Sequence, residues 1–217
     1  MGAREIEQFW STFRAQARGL GPRSDHAFTV VAEALRSVDP RIRLIPVYGG
    51  GLRHAVLSAE GDLDVGPVID AVVAAPPPAG WAWLATVDAG LLDDRRNPSL
   101  FPPDASGEVL FRMARGGDRL WRPRDVAFGV TFPSEAAAES FLTLLDAVAE
   151  PKMDGELETF DDVGWEEGAL AYGVVVTVHL VPSHARITTV ERLLATLAAP
   201  LGGTNAGWGS TGALGQP

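Results

Sequence analysis

The spacing of apolar residues divides the chain into alternating helical and extended stretches. Ile6, Phe9, Trp10, Phe13 and Ala17 recur at the helical period and predict a first helix, ended by Gly19, Gly21 and Pro22. Ser24 is placed to cap a second helix with Phe28, Val31, Ala34 and Leu35 on its inner face, which Asp39-Pro40 stops. Residues 42–48 and 52–58 read as extended on either side of Gly49, Gly50 and Gly51, predicting an antiparallel hairpin. Pro67 opens a short helix with Val68, Ile69, Val72 and Val73 inward, and Pro76, Pro77 and Pro78 close it. Trp81, Trp83 and Ala85 then alternate along a strand, and residues 88–107 read as a long loop.

Residues 108–114 and 119–122 predict two short strands around Gly116-Gly117. Residues 126–132 form the next strand, followed by a helix with Ser134 as cap and Phe141, Leu142, Leu145 and Val148 inward. Residues 156–160 and the valine-rich run 170–181 are extended, the second suited to a sheet interior. The last helix is marked at its start by Thr188 and Glu191 as a capping box and striped by Val190, Leu193, Leu194 and Leu197. Pro200, Gly202 and Gly203 end it, and a final extended piece follows.

From residue 126 the order is strand, helix, strand, strand, helix, strand, the ferredoxin-like order. The first half repeats that order without its opening strand, which suggests a structural pseudo-repeat with no residue-level counterpart. The expected class is therefore α+β: two α/β sandwich modules, the C-terminal one ferredoxin-like (βαββαβ). The expected domains are residues 1–103 and 104–209, with a flexible tail at 210–217.

Composition narrows the function classes. Hydrophobic residues make up 46% and charged residues 21% of the 217, enough to bury two cores. Cysteine is absent, so disulfides and thiolate zinc sites are excluded. The N-terminus has no apolar run of signal-peptide length, and no stretch reaches the roughly 20 residues of a membrane helix; a cytoplasmic location is expected. The net charge of −10 disfavours long-range attraction to nucleic acid. Between positions 150 and 168 eight acids (Glu150, Asp154, Glu156, Glu158, Asp161, Asp162, Glu166 and Glu167) stand against Lys152 alone. Trp165 lies among them and is either an anchor for a partner or a cover for the sheet.

Candidate chemistry is sparse. His26, His54, His179 and His184 are scattered without metal-ligand spacing, and neither a metal nor a cofactor is expected. Gly-x-Ser-x-Gly does not occur. The glycine triplet lacks the lysine and hydroxyl residue of a phosphate loop. Adjacent acids such as Asp161-Asp162 and Glu166-Glu167 turn their side chains apart rather than across a cleft, so no catalytic residue is named. Arg112, Arg115, Arg119, Arg122 and Arg124 cluster near Phe111 and Trp121; the preferred reading is a solvated hairpin pairing with the acidic window, and the other is a grip on RNA. Trp81 and Trp83 read as a packed strand before a ligand platform.

The turn after the last helix carries Gly202, Gly203, Thr204, Asn205, Ala206, Gly207 and Trp208. This run resembles the Gly-Gly-x-Tyr-Asp-Gly-Trp ending of the ribonuclease E inhibitors called regulator of ribonuclease activity B, with Asn205 and Ala206 replacing the tyrosine and aspartate. The similarity extends weakly back to about residue 126. The first half, with its 57–61 turn and the Ala75-Pro76 run leading to Trp81, is similar to an uncharacterised bacterial domain family. The resemblance implies a non-catalytic protein that binds the basic region of a ribonuclease. Glu156, Glu158, Asp161, Asp162, Trp165, Glu166 and Glu167 are the expected partner-binding residues, and Gly202, Gly203, Gly207 and Trp208 the signature turn. The alternative is an enzyme or small-ligand binder with a pocket between the halves, lined by Trp81, Trp83, His54 and arginines.

Overall fold

The computed structural model describes residues 3–21, 24–49, 52–148, 154–160 and 171–210, and at positions 25, 49, 52, 154, 156–160 and 171 the backbone alone. The chain adopts the expected α+β class. It divides into two compact units, Met1–Arg122 and Pro123–Ala213.

In the first unit, helices α1 (Ala3–Gln16) and α2 (Asp25–Val38) pack on each other. Ser24 holds the N-cap position of α2, but its hydroxyl donates back to the Gly21 carbonyl (2.7 Å) instead of capping the helix. Strands β1 (Arg43–Gly49) and β2 (Leu52–Ser58) form the predicted antiparallel hairpin, Arg43 opposite Ser58. Helix α3 (Gly66–Val73) starts at a proline-bearing first turn, where the missing amide hydrogen costs nothing, and buries Ile69 and Val72. It leads to β3 (Trp81–Thr86), which pairs parallel with β2. Trp81 and Trp83 share one pleat face and meet α1 edge-to-face, with Phe13–Trp81 centroids 5.3 Å and Trp10–Trp83 centroids 4.8 Å apart. The packed-strand reading of these tryptophans is correct.

The predicted hairpin over 108–122 does not form. Residues Ala105–Arg115 are helix α4, started by the Asp104 carboxylate accepting from the Gly107 amide at 2.7 Å. Buried Leu110 and Ala114 lie one turn apart, a helical spacing that the glycine pair and the short apolar runs obscured. The first compact unit reaches Arg122. Trp121 holds its end there: a Cβ placed on Gly66 of α3 would lie 1.8 Å from the Trp121 Cγ.

The second unit runs β4 (Arg124–Phe132), α5 (Glu135–Val148), β5 (Asp154–Phe160), β6 (Ala171–Leu180), α6 (His184–Ala198) and β7 (Thr204–Ser210). This is the predicted order of elements. The sheet order is β5-β6-β4-β7, and every neighbouring pair is antiparallel. Val126, Phe128, Val130 and Phe132 of β4 and Val174, Val176 and Val178 of β6 point to one side. There they form a core with Phe141 and Leu145 of α5 and Ile187, Val190 and Leu194 of α6. The valine run of β6 is buried on that face alone, since Val175 and Thr177 are half-buried and His179 is exposed. An antiparallel strand needs only one covered face, so the apolar run overstated its burial.

Helix α6 starts at His184, its cap five residues before the Thr188 cap read from the pattern. Ser183 is its N-cap, accepting from the Arg186 amide, and the Thr188 hydroxyl donates to the His184 carbonyl at 2.8 Å from inside the helix. β6 ends at Leu180, and Ser183 is the first cap-competent residue after Pro182. The pseudo-repeat also fails. In the second unit β4 separates β6 from β7, whereas in the first β2 and β3 are direct neighbours and leave no place for an opening strand between them.

Candidate protein-binding face

The pleat of the second sheet creates two chemically different faces. Positions on β4 and β6 that alternate with the core residues, away from α5 and α6, are Asp125, Ala127, Gly129 and Thr131, paired with His179, Thr177, Val175 and Gly173. This face is mostly small and uncharged. At one end the His179 imidazole Nδ1 and the Asp125 carboxylate lie 2.8 Å apart on directly opposed residues, 67% and 70% exposed.

Strand β5 borders the sheet on the far side of β6 and carries the acids. Glu156 is in register with Val175, and Glu158 with Gly173. An edge strand with this sequence resists pairing with a second copy of itself, because like charges would be opposed. The other expected partner-binding residues, Asp161, Asp162, Trp165, Glu166 and Glu167, lie outside the described residues.

The signature turn builds the opposite edge. Gly202 has φ +73° and ends the 3-10 turn Ala199–Leu201 that extends α6. Gly203 donates its amide to the Ala198 carbonyl, and a Cβ there would lie 2.4 Å from Phe132 Cε1 and 2.8 Å from Ala198 Cβ. Only glycine fits that approach. Gly207, at φ +100°, lies beside a register shift opposite Gly129/Val130. Trp208 pairs with Phe128 and is packed, partly buried, against the core. Asn205 donates its Nδ2 to the Glu191 carbonyl of α6 at 3.2 Å, tying β7 to the helix. Thus Gly202, Gly203, Gly207 and Trp208 are explained by folding. They are not beside the acids: two strands separate β7 from β5, roughly 14 Å at the usual interstrand spacing.

The arginines form no basic hairpin. Arg115 pairs with Asp94 at 2.7 Å, while Arg119 and Arg122 converge on Asp70 of α3 at 2.6 and 2.9 Å. The Trp121 indole donates to the same carboxylate at 3.1 Å. Arg124 is buried on β4. Burial pushes the Asp70 carboxyl up, but the bonds from Arg122 and Trp121 outweigh it and hold the group below the ordinary carboxylate range. Asp70 went unmarked at the level of sequence. The signal was there: it is the sole acid in the apolar helix Gly66–Val73, where a carboxylate requires partners.

Among the described residues no group of three metal-ligating side chains converges, and no helix is long and apolar enough to cross a membrane. Neither the curated proteins nor the solved structures yield a match to this chain. Residues 103–210 match the family described as Regulator of ribonuclease activity B, a span that includes every element of the second unit from β4 to β7.

Proposed function

We propose, from the premise that the C-terminal half belongs to the regulator of ribonuclease activity B family, that this chain regulates a ribonuclease by binding it, without catalysis of its own. The binding surface is the acidic edge strand β5, beside the small-residue face of the sheet. The carrying observation is positional. Glu156 and Glu158 border a pleat of Val175, Gly173, Gly129 and Ala127, in a segment where acids outnumber bases eight to one. A basic segment laid there gains charge complementarity along the edge and close backbone approach over the glycines. Complementary charge chiefly accelerates encounter and sets register.

The reading places Asp161, Asp162, Trp165, Glu166 and Glu167 in the same contact and the chain in the cytoplasm with its target. The test is a cleavage assay in which a ribonuclease E-type enzyme with its basic region degrades a labelled RNA as the full chain is added. Cleavage should slow saturably, and a variant with Glu156, Glu158, Asp161, Asp162, Glu166 and Glu167 changed to amides should lose that effect. Undiminished cleavage at excess chain would refute ribonuclease regulation. Equal inhibition by the amide variant would refute the acidic surface.

A further inference from the structure

Among the described residues, the first unit holds a group of cations that no carboxylate accounts for. Arg14 in the last turn of α1 and Arg18 just past its end stand four residues apart, and Arg53 of β2 joins them around a cleft of about 470 Å³ whose rim is Pro78, Ala79 and Gly80. Like charges at this spacing oppose each other by roughly 0.2–0.5 kcal/mol. In a chain of net charge −10 an acid nearby would be the ordinary remedy. Among the described residues none of the three arginines has an ion pair, and no acid lines the cleft.

Two of the three are nevertheless held in place. The Arg53 guanidinium lies over the Trp81 ring at 5.9 Å and donates to the Leu20 carbonyl at 3.1 Å. That of Arg14 lies over Trp10 at 5.7 Å. Aromatic faces and carbonyls orient a guanidinium without neutralising it, so most of its N–H donors remain for an external acceptor. The C-terminal end of α1 contributes a favourable field for these cations, which explains why the helix tolerates them but not why Arg53 is brought over from another element. The opposite rim is a turn in which the Trp81 amide donates to the Pro78 carbonyl and Gly80 has φ +82°, and its small residues Ala79 and Gly80 line the same opening.

We infer that this cleft is a binding site for a phosphate-bearing small molecule, with Arg14, Arg18 and Arg53 as the ligands of the phosphate. Planar guanidinium forks match phosphate oxygens two at a time, and three of them outbid a single carboxylate. The site belongs to the first unit alone and is independent of the ribonuclease reading.

The test is calorimetric titration of the full chain with inorganic pyrophosphate, with citrate as a polycarboxylate of comparable charge, at constant ionic strength. Pyrophosphate should bind saturably at or below about 1 mM, and Arg18→Gln and Arg14→Gln should each weaken it about tenfold. Arg53→Lys keeps the charge but loses the fork and should also weaken it, with circular dichroism confirming the fold. Stronger binding of pyrophosphate than of citrate supports a phosphate site; equal or stronger citrate binding overturns it. Absence of saturable heat, or unchanged affinity in Arg14→Gln/Arg18→Gln, overturns the site itself.

Discussion

Changing Gly203 to alanine isolates what the signature turn does. Its φ does not lie in the left-handed region, so alanine brings no backbone strain; the effect is steric. The new methyl would sit 2.4 Å from Phe132 Cε1 and 2.8 Å from Ala198 Cβ. Phe132 cannot withdraw easily, because it is 3% exposed and its ring centroid is 5.0 Å from that of Phe141 in the core. Inserting a methyl into such packing costs about 1–3 kcal/mol, and the immobile neighbours place this case near 2–3. For a domain of this size that corresponds to a fall of roughly 10–20 °C in the melting temperature of the second unit. Gly209→Ala is the control, since a Cβ there meets nothing within 4 Å. Calorimetry of the full chain should show the drop, and hydrogen exchange should show lost protection in Thr204–Ser210, which Gly203 positions against β4. If Gly203→Ala unfolds within about 0.5 kcal/mol of Gly209→Ala, the close-approach explanation is wrong.

Three further outcomes follow from the same geometry. Gly66→Ala should displace Trp121 and destabilise the first unit by about 2–3 kcal/mol, visible as a red shift in tryptophan emission and a lower denaturation midpoint. Asp70→Asn should cost about 1–2 kcal/mol, discounted because its arginine partners remain 30% and 39% exposed, and should flatten the acid limb of the stability profile. The sign is fixed by the lowered native pKa of Asp70: its contribution is complete above the unfolded value of about 3.9 and vanishes as pH falls through the native one. Ser183→Ala should cost about 1 kcal/mol in denaturant unfolding, whereas Thr188→Ala should change it by a few tenths at most, the reverse of what a capping box at Thr188 requires.

Most elements were legible because their signals are local. The stripe of Phe9, Trp10 and Phe13, the proline start of α3 and the leucine face of α6 each report which side of an element is buried, and the structure buries those sides. The errors arose where neighbouring signals competed. Gly116-Gly117 suggested a hairpin, but Asp104 had already started α4, and two plausible caps stood five residues apart before α6. The candidate face was half legible: the acids cluster in one stretch of sequence, while the small residues beside them come from two other strands, β6 and β4.

The amino-acid sequence by itself determined the α+β class, the βαββαβ order of the second half and the glycine turn that ends the last helix. These depend on residue spacing and backbone freedom, which are written locally. Only the tertiary structure decided which strands are neighbours, that the signature turn and the acidic strand occupy opposite sheet edges, that Asp70 gathers Arg119 and Arg122, and that Arg53 joins Arg14 and Arg18. Those are long-range pairings. They emerge when burying apolar faces brings distant segments together, and no local pattern encodes which charges that burial will leave side by side.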